Sequence, residues 1–279
     1  MLVYAPAKLN LCLYLGAPRE DGLHELCSLF EPLALADLIE VTPADRDEVI
    51  CSGVEGENLA ARALAALRER SWAHEPLRIE IEKRVPVAAG LGGGSADAAA
   101  VLRLAAGEVA DLPRLAAELG ADVPSQLRPS PALVRGAGER VEPLPDPAEH
   151  AAVLLPGGGG LSTPEVFAEA DRLGLGRSVE ELDDLAGQLR EAAGSGASPL
   201  AYPELLVNDL TEAAVSLRPD IGDALRALRA AGAHVAILSG SGPTAVGLFD
   251  DLRSAQAAAD SLDAAEAIVC AAGRARLAP

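Results

Sequence analysis

With 279 residues, 49% of them hydrophobic and 23% charged, the chain can bury a substantial core as one large domain or two modest ones. A formal charge of −19 argues against a general nucleic-acid binder, which needs a basic face, yet leaves room for a small anion held by a local cluster of donors. The start carries no signal-peptide pattern and no apolar run approaches the roughly 20 residues of a membrane span, so a cytoplasmic chain with no membrane partner is expected.

Three Phe, three Tyr and one Trp are few, so Ala, Leu and Val must fill the core. Cys12, Cys27, Cys51 and Cys270 have neither C-x-x-C spacing nor histidines at zinc-like intervals, and read as reduced core thiols. The N-terminal part reads as strands with one helix. From Ala7 to Leu15 the residues alternate, which predicts a strand with Leu9, Leu11, Leu13 and Leu15 on one face and Lys8, Asn10, Cys12 and Tyr14 on the other. An ammonium and an amide would then stand side by side, as on a polar site or a solvated strand face. Lys8 and Lys83 are the only lysines among 23 basic residues, and a compact ammonium point charge differs chemically from the arginine used elsewhere.

Asp21-Gly22 marks a tight turn with His24 just beyond it. Asn58 caps a predicted helix through about Arg70, and Leu77, Ile79 and Ile81 alternate in a strand that leads to Lys83 and Arg84. Next comes Pro86-Val-Ala-Ala-Gly90-Leu-Gly-Gly-Gly-Ser95-Ala-Asp-Ala98, a glycine-rich turn running into an alanine-rich helical pattern. Glycines let consecutive peptide N–H groups converge on one anion, and a helix capped at Ser95 would aim its positive end at the same place. No lysine closes the run as in a Walker loop, and Ser95 stands where a Rossmann fingerprint has glycine.

Asp111 caps a further helix that stops at Gly120, and Gly120-Ala-Asp122-Val-Pro124 follows as a loop with a restricted carboxylate. Pro143, Pro145, Pro147, Pro156 and Gly157 to Gly160 mark a boundary, dividing the chain into domains 1–156 and 157–279. Beyond it, helices are expected over Pro164 to Leu173, Val179 to Ala192, Asn208 to Leu217, Asp220 to Ala231 and Leu252 to Leu262. Strands are expected over Ala233 to Leu238, Thr244 to Phe249 and Glu266 to Ala271, giving an α+β fold. Ser239-Gly-Ser-Gly-Pro-Thr244, between two of those strands, is either a hairpin connection or a second loop that closes over a ligand.

Taken in order, Ala5-Pro-Ala-Lys-Leu-Asn-Leu, the Arg19 to Leu26 turn, Pro86 to Ala99, Gly120-Ala-Asp-Val-Pro and the Ser239 to Thr244 loop resemble the GHMP small-molecule kinases over nearly the whole chain. The resemblance implies a two-domain α+β kinase: an N-terminal mixed β/α domain with the phosphate loop, and a C-terminal ferredoxin-like domain. It implies transfer of the ATP γ-phosphate to a hydroxyl of a cytidine-diphosphate-linked methylerythritol, with Asp122 as catalytic base and Lys8 as its cationic partner. Ala89, Gly90, Leu91, Gly92, Gly93, Gly94 and Ser95 would hold ATP, Ser95 would ligate Mg²⁺, and Lys83 and Asn58 would approach the nucleotide. Asn10 would position the substrate, with Leu23, His24 and Phe167 around its cytosine. A monomer or weak homodimer is expected.

The chain departs from the family pattern in several places. Leu23 stands where a stacking tyrosine is usual, and Ala88 and Ala96 replace a glycine and a second serine. Ser125 and Gln126 replace two phenylalanines, and Pro129-Ser130 replace glycines. A kinase for another small alcohol, such as mevalonate or homoserine, stands as an alternative that the Asp-Gly-Leu-His turn opposes. A non-catalytic nucleotide sensor is another, opposed by Lys8 and Asp122.

Overall fold

The computed structural model describes residues 1–54, 56, 58–262 and 266–274. Strands β1 (Leu2–Pro18) and β2 (His24–Pro43) form a long antiparallel hairpin across the Asp21-Gly22 turn. There follow β3 (Glu48–Cys51), α1 (Leu59–Glu69), β4 (Leu77–Glu82), α2 (Gly93–Arg103), α3 (Leu112–Leu119), the single turn α4 (Val123–Gln126), β5 (Ala132–Gly136), β6 (Arg140–Pro143) and β7 (His150–Leu155). The rest is α5 (Thr163–Leu173), α6 (Val179–Ala193), α7 (Thr211–Leu217), α8 (Pro219–Ala230), β8 (Val235–Leu238), β9 (Ala245–Phe249), α9 (Leu252–Ser261) and β10 (Ile268–Ala272).

The first sheet is built on β2, which pairs with β1, β4 and β5, while β3 extends β4 and β6 extends β5. Sequence alternation did not single out β2. Its interior Glu31, Pro32 and Asp37 interrupt the apolar pattern, although Glu31 and Asp37 are buried. The second sheet is antiparallel in the order β10-β7-β9-β8, and with its helices it is ferredoxin-like. Among the described residues the two sheets pair at Ala272 with Leu33, beside a Gly273 N–H to Pro32 carbonyl bond of 3.0 Å. β7 lies before residue 156 yet pairs with β9 and β10, so a division into 1–156 and 157–279, which remains a proposal, puts one strand of the second sheet on the first side.

The expected face of β1 is corrected by bulges. The register shifts between Asn10 and Cys12, so Leu9, Leu11, Cys12 and Tyr14 share one core cluster while Leu13 and Leu15 join another. An extra residue in a ladder turns the following side chains to the opposite face, which a strict period of two cannot anticipate. Lys8 and Asn10 precede the shift and do point together.

Asn58 caps α1 as expected, accepting from the Ala60 N–H at 2.8 Å. Ser95 is not the cap of α2. The helix begins earlier, with Gly92 at the cap in left-handed conformation (φ 68°), which places Ser95 in the first turn. Asp122 is followed by the α4 turn instead of an open loop. Helix α7 starts at Thr211 because Asn208 uses its carbonyl oxygen to hold the Leu210 N–H at 2.9 Å. All four cysteines are free, and three are buried, but Cys51 is only half-buried. Burial pushes the Cys27 thiol up to about 11 and that of Cys270 to about 12. Among the described residues no helix is long and apolar enough to cross a membrane.

Candidate active site

Three cavities form a continuous trough. The first, about 470 Å³, is walled by Pro86 to Ser95 together with Cys51, Asn58, Lys83 and Asp97. The second, about 260 Å³, holds Lys8, Asn10, Ser28, Asp122, Gly240 and Ser241, and shares Gly90, Gly92, Ser95 and Thr163 with the first. The third, about 410 Å³, is lined by Leu23, His24, Phe167 and Asp171 and shares Ala121, Ala137, Thr163 and Phe167 with the second.

In the middle cavity, Lys8 Nζ lies 3.3 Å from Asp122 Oδ2. Lys8 also donates to Asn10 Oδ1 and sits 4.7 Å above the Phe30 ring. Asn10 Nδ2 in turn donates to Ser28 Oγ at 3.0 Å, so the ammonium is fixed from behind by a buried polar relay. The Lys8 backbone N–H donates to the Leu91 carbonyl at 2.9 Å, tying β1 to the glycine loop. Gly92 is needed where it stands, since a Cβ there would meet Lys8 Cγ at 2.8 Å.

The glycine loop opens α2, whose first bond runs from the Ala96 N–H to the Gly92 carbonyl at 2.9 Å. The N–H groups of Gly93, Gly94 and Ser95 therefore lack intrahelical acceptors and are available to an anion. The Ser239 to Thr244 loop closes against this one: Ser239 Oγ donates to the Gly90 carbonyl at 3.0 Å. Asn208, which the sequence offered only as a helix start, holds that second loop by donating to the carbonyls of Leu238 and Gly240 at 2.8 and 2.7 Å. Ser241 Oγ meets Thr163 Oγ1 at 2.9 Å, at the point where all three cavities come together.

Lys83 lines the first cavity, but its ammonium is clamped between Asp37 and Asp97, 2.7 Å from the latter. Burial works against its charge, yet the two carboxylates outweigh it and raise its pKa. Burial likewise raises the Asp97 carboxyl, only partly countered by Lys83. Asp37 Oδ1 accepts from the N–H groups of Arg84 and Val85 at 2.6 and 2.8 Å, anchoring the approach to the glycine loop. Neither aspartate stood out in the sequence, Asp37 because it interrupts a strand and Asp97 because it sits in an alanine run.

In the third cavity the rings of His24 and Phe167 lie 5.1 Å apart, tilted by 44°. His24 Nε2 meets Asp171 Oδ1 at 2.9 Å. Leu23 is half-exposed at the same cavity and brings apolar surface without a ring. Ala88 takes a left-handed φ of 54°, the conformation that glycine adopts without strain. Ser125 and Gln126 are accommodated as buried polar residues, with Ser125 Oγ donating to the Asp122 carbonyl at 2.8 Å.

Residues 58–128 match the GHMP kinases N terminal domain and residues 184–268 match the GHMP kinases C terminal. The chain is 40% identical to a 4-diphosphocytidyl-2-C-methyl-D-erythritol kinase of Streptomyces avermitilis, over 93% of this chain and 91% of that one. It is 42% identical to the Kineococcus radiotolerans protein of the same name, over 86% of this chain and 78% of the relative. A crystal structure of 4-(cytidine 5'-diphospho)-2C-methyl-D-erythritol kinase superposes with a TM-score of 0.81 at 36% identity, covering 98% of this chain and 100% of that one. Homoserine kinase from Cytophaga hutchinsonii shares the fold, with a TM-score of 0.71 at 19% identity over 99% of this chain and 94% of that one.

Proposed function

The chain belongs to the GHMP kinases, within them to the 4-diphosphocytidyl-2-C-methyl-D-erythritol kinases, and we propose that it phosphorylates the 2-hydroxyl of that cytidine-linked alcohol with ATP. The observation that carries this reading is the Lys8–Asp122 pair at 3.3 Å, in a cavity that shares a wall with the glycine loop. ATP lies in the first cavity, its phosphates on the N–H groups of the glycine loop and of the first turn of α2. The alcohol lies in the second cavity and the cytosine in the third, between Leu23 and the His24–Phe167 rings. Its place is the cytoplasm, in the non-mevalonate route to isoprenoids, as a monomer or weak homodimer.

In the reaction the hydroxyl oxygen attacks the γ-phosphorus, the bond to the bridging oxygen breaks, and ADP leaves with that electron pair. Asp122 accepts the hydroxyl proton as the new bond forms. Lys8, held by Asn10, orients that carboxylate and offsets charge building on the transferred oxygens. Mg²⁺ fits the first cavity: Asp97 Oδ1 is buried without a hydrogen-bond partner among the described residues, and Ser95 adds a hydroxyl on the same wall. Both are hard oxygen donors of the kind the ion takes. When bound it would neutralise phosphate charge.

Phosphate transfer from ATP to a panel of cytidine-linked and free alcohols tests the reading. Transfer restricted to the cytidine-linked methylerythritol is expected. Turnover of mevalonate or homoserine instead would redirect it, and binding without turnover across the panel would sink it.

A further inference from the structure

Arg103, the last residue of α2, is partly buried, and among the described residues it makes no ion pair with a carboxylate. Its guanidinium instead donates to two backbone carbonyls: Nη1 to Gln126 at 2.8 Å and Nη2 to Tyr4 at 2.7 Å. Burial lowers its pKa to about 10, with no counter-ion to restore it. Even a partly buried cation without a carboxylate partner carries a desolvation cost, so packing alone is a poor account of it.

The two carbonyls stand at telling places. Tyr4 is on β1, upstream of Lys8 on the same strand. Gln126 ends the α4 turn, whose cap is Asp122. That turn has little internal support: the Val123 N–H reaches the Gly120 carbonyl at 3.1 Å, the Leu127 N–H reaches that of Pro124 at 3.3 Å, and Pro124 itself has no donor. A cation at the C-terminal carbonyl of a helical turn is favourably placed.

We propose that Arg103 is a positioning residue that sets the separation of Lys8 and Asp122 by bracing the strand that carries one and the turn that begins at the other. The inference rests on assigning that pair to phosphoryl transfer. Arg103 lines none of the three cavities, so its loss should act on the chemical step and leave both binding sites intact.

The test uses Arg103→Met and Arg103→Ala in the full chain. Arg103→Met keeps an apolar stem in place and loses two hydrogen bonds to carbonyls, so its Tm should fall only slightly. Its kcat should nevertheless fall about 10-fold or more, as expected when reacting groups lose alignment, with both KM values unchanged. Added guanidinium should restore part of the kcat of Arg103→Ala and none of that of Arg103→Met, whose side chain fills the space. Unchanged kcat in both variants, or a loss that follows Tm and ignores guanidinium, overturns the inference. Should the unaltered protein transfer no phosphate, the functional reading fails by itself. Crystal structures then decide: a Lys8–Asp122 separation in Arg103→Met lengthened beyond 3.3 Å upholds the bracing role, and an unaltered one removes it.

Discussion

Lys8 and Asp122 form an unequal pair: the lysine side chain is 5% exposed and the aspartate side chain 31%, with 3.3 Å between Nζ and Oδ2. The cation is fixed by Asn10 and Phe30, whereas the carboxylate keeps a face toward the cavity where a hydroxyl could meet it. Asp122→Asn keeps the shape and removes the proposed base, so kcat should fall ~10²-fold or more with KM for ATP little changed. Lys8→Met should lower kcat without unfolding the chain. Steady-state kinetics beside thermal melting checks both, and near-normal turnover by Asp122→Asn removes it as the base.

Gly92→Ala places a methyl group 2.8 Å from Lys8 Cγ at a backbone φ of 68°. Lysine and loop cannot both keep their places. Phosphate transfer should drop by roughly 10-fold, because the ammonium moves relative to Asp122. Kinetics identical to the unaltered protein would show that the loop gives way harmlessly.

Ala88 presents the opposite case, a side chain where the backbone (φ 54°) suits glycine. Ala88→Gly relieves the strain at some entropic cost, for an expected net gain of about 0.5–1 kcal/mol in denaturant unfolding. A loss of stability would mean that the Ala88 methyl packs more usefully than its position suggests.

Leu23, half-exposed at the third cavity, can be enlarged without entering the core. If the cytosine lies in the third cavity as proposed, the ring in Leu23→Tyr should stack on it, a gain of about 0.5–1.5 kcal/mol seen as a several-fold lower KM for the cytidine-linked alcohol. The KM for ATP should not move. An unaffected alcohol KM would place the base elsewhere.

His150 on β7 and Glu31 on β2 form a buried pair, Nε2 to Oε2 at 2.9 Å, close to the Ala272–Leu33 pair that joins the two sheets. Burial opposes the imidazolium, but the hydrogen bond and charge of Glu31, aided by the Ala148 carbonyl, outweigh it and raise the His150 pKa. A histidine with a raised folded-state pKa lends stability that is fully present below about pH 6.5 and lost as pH rises through the folded value. Denaturation midpoints should therefore fall from pH 6 to pH 8, with a smaller slope in His150→Gln. Equal slopes would show that the pair does not titrate in this range.

Much of the candidate site was legible because the residues proposed for phosphate chemistry carry local marks. The glycine run, the lysine at Lys8 and the aspartate before Val123-Pro124 are each visible within a few residues. Residues that act across long sequence separations were not. Asn208 reaches Leu238 and Gly240, Asp37 reaches Lys83 and Val85, and Thr163 reaches Ser241, partnerships that no spacing announces. The helices of the second half were close to place because caps and amphipathic periods are local. The inner faces of β1 were misjudged past Asn10 because a bulge is a property of two strands together.

The contact between Ser239 and the Gly90 carbonyl bears on how much chain makes a working enzyme. Lys8, Ser95 and Asp122, the residues proposed to act on the phosphate, all fall within the first half. Yet the far wall of the glycine loop is made by residues near the other end of the chain, and a Cβ at Gly90 would strike the carbonyls of Ser239 and Gly242 at 2.5 and 2.9 Å. A fragment ending before the second half would keep the Lys8–Asp122 pair and lose the wall that Ser239 and Gly242 set against Gly90.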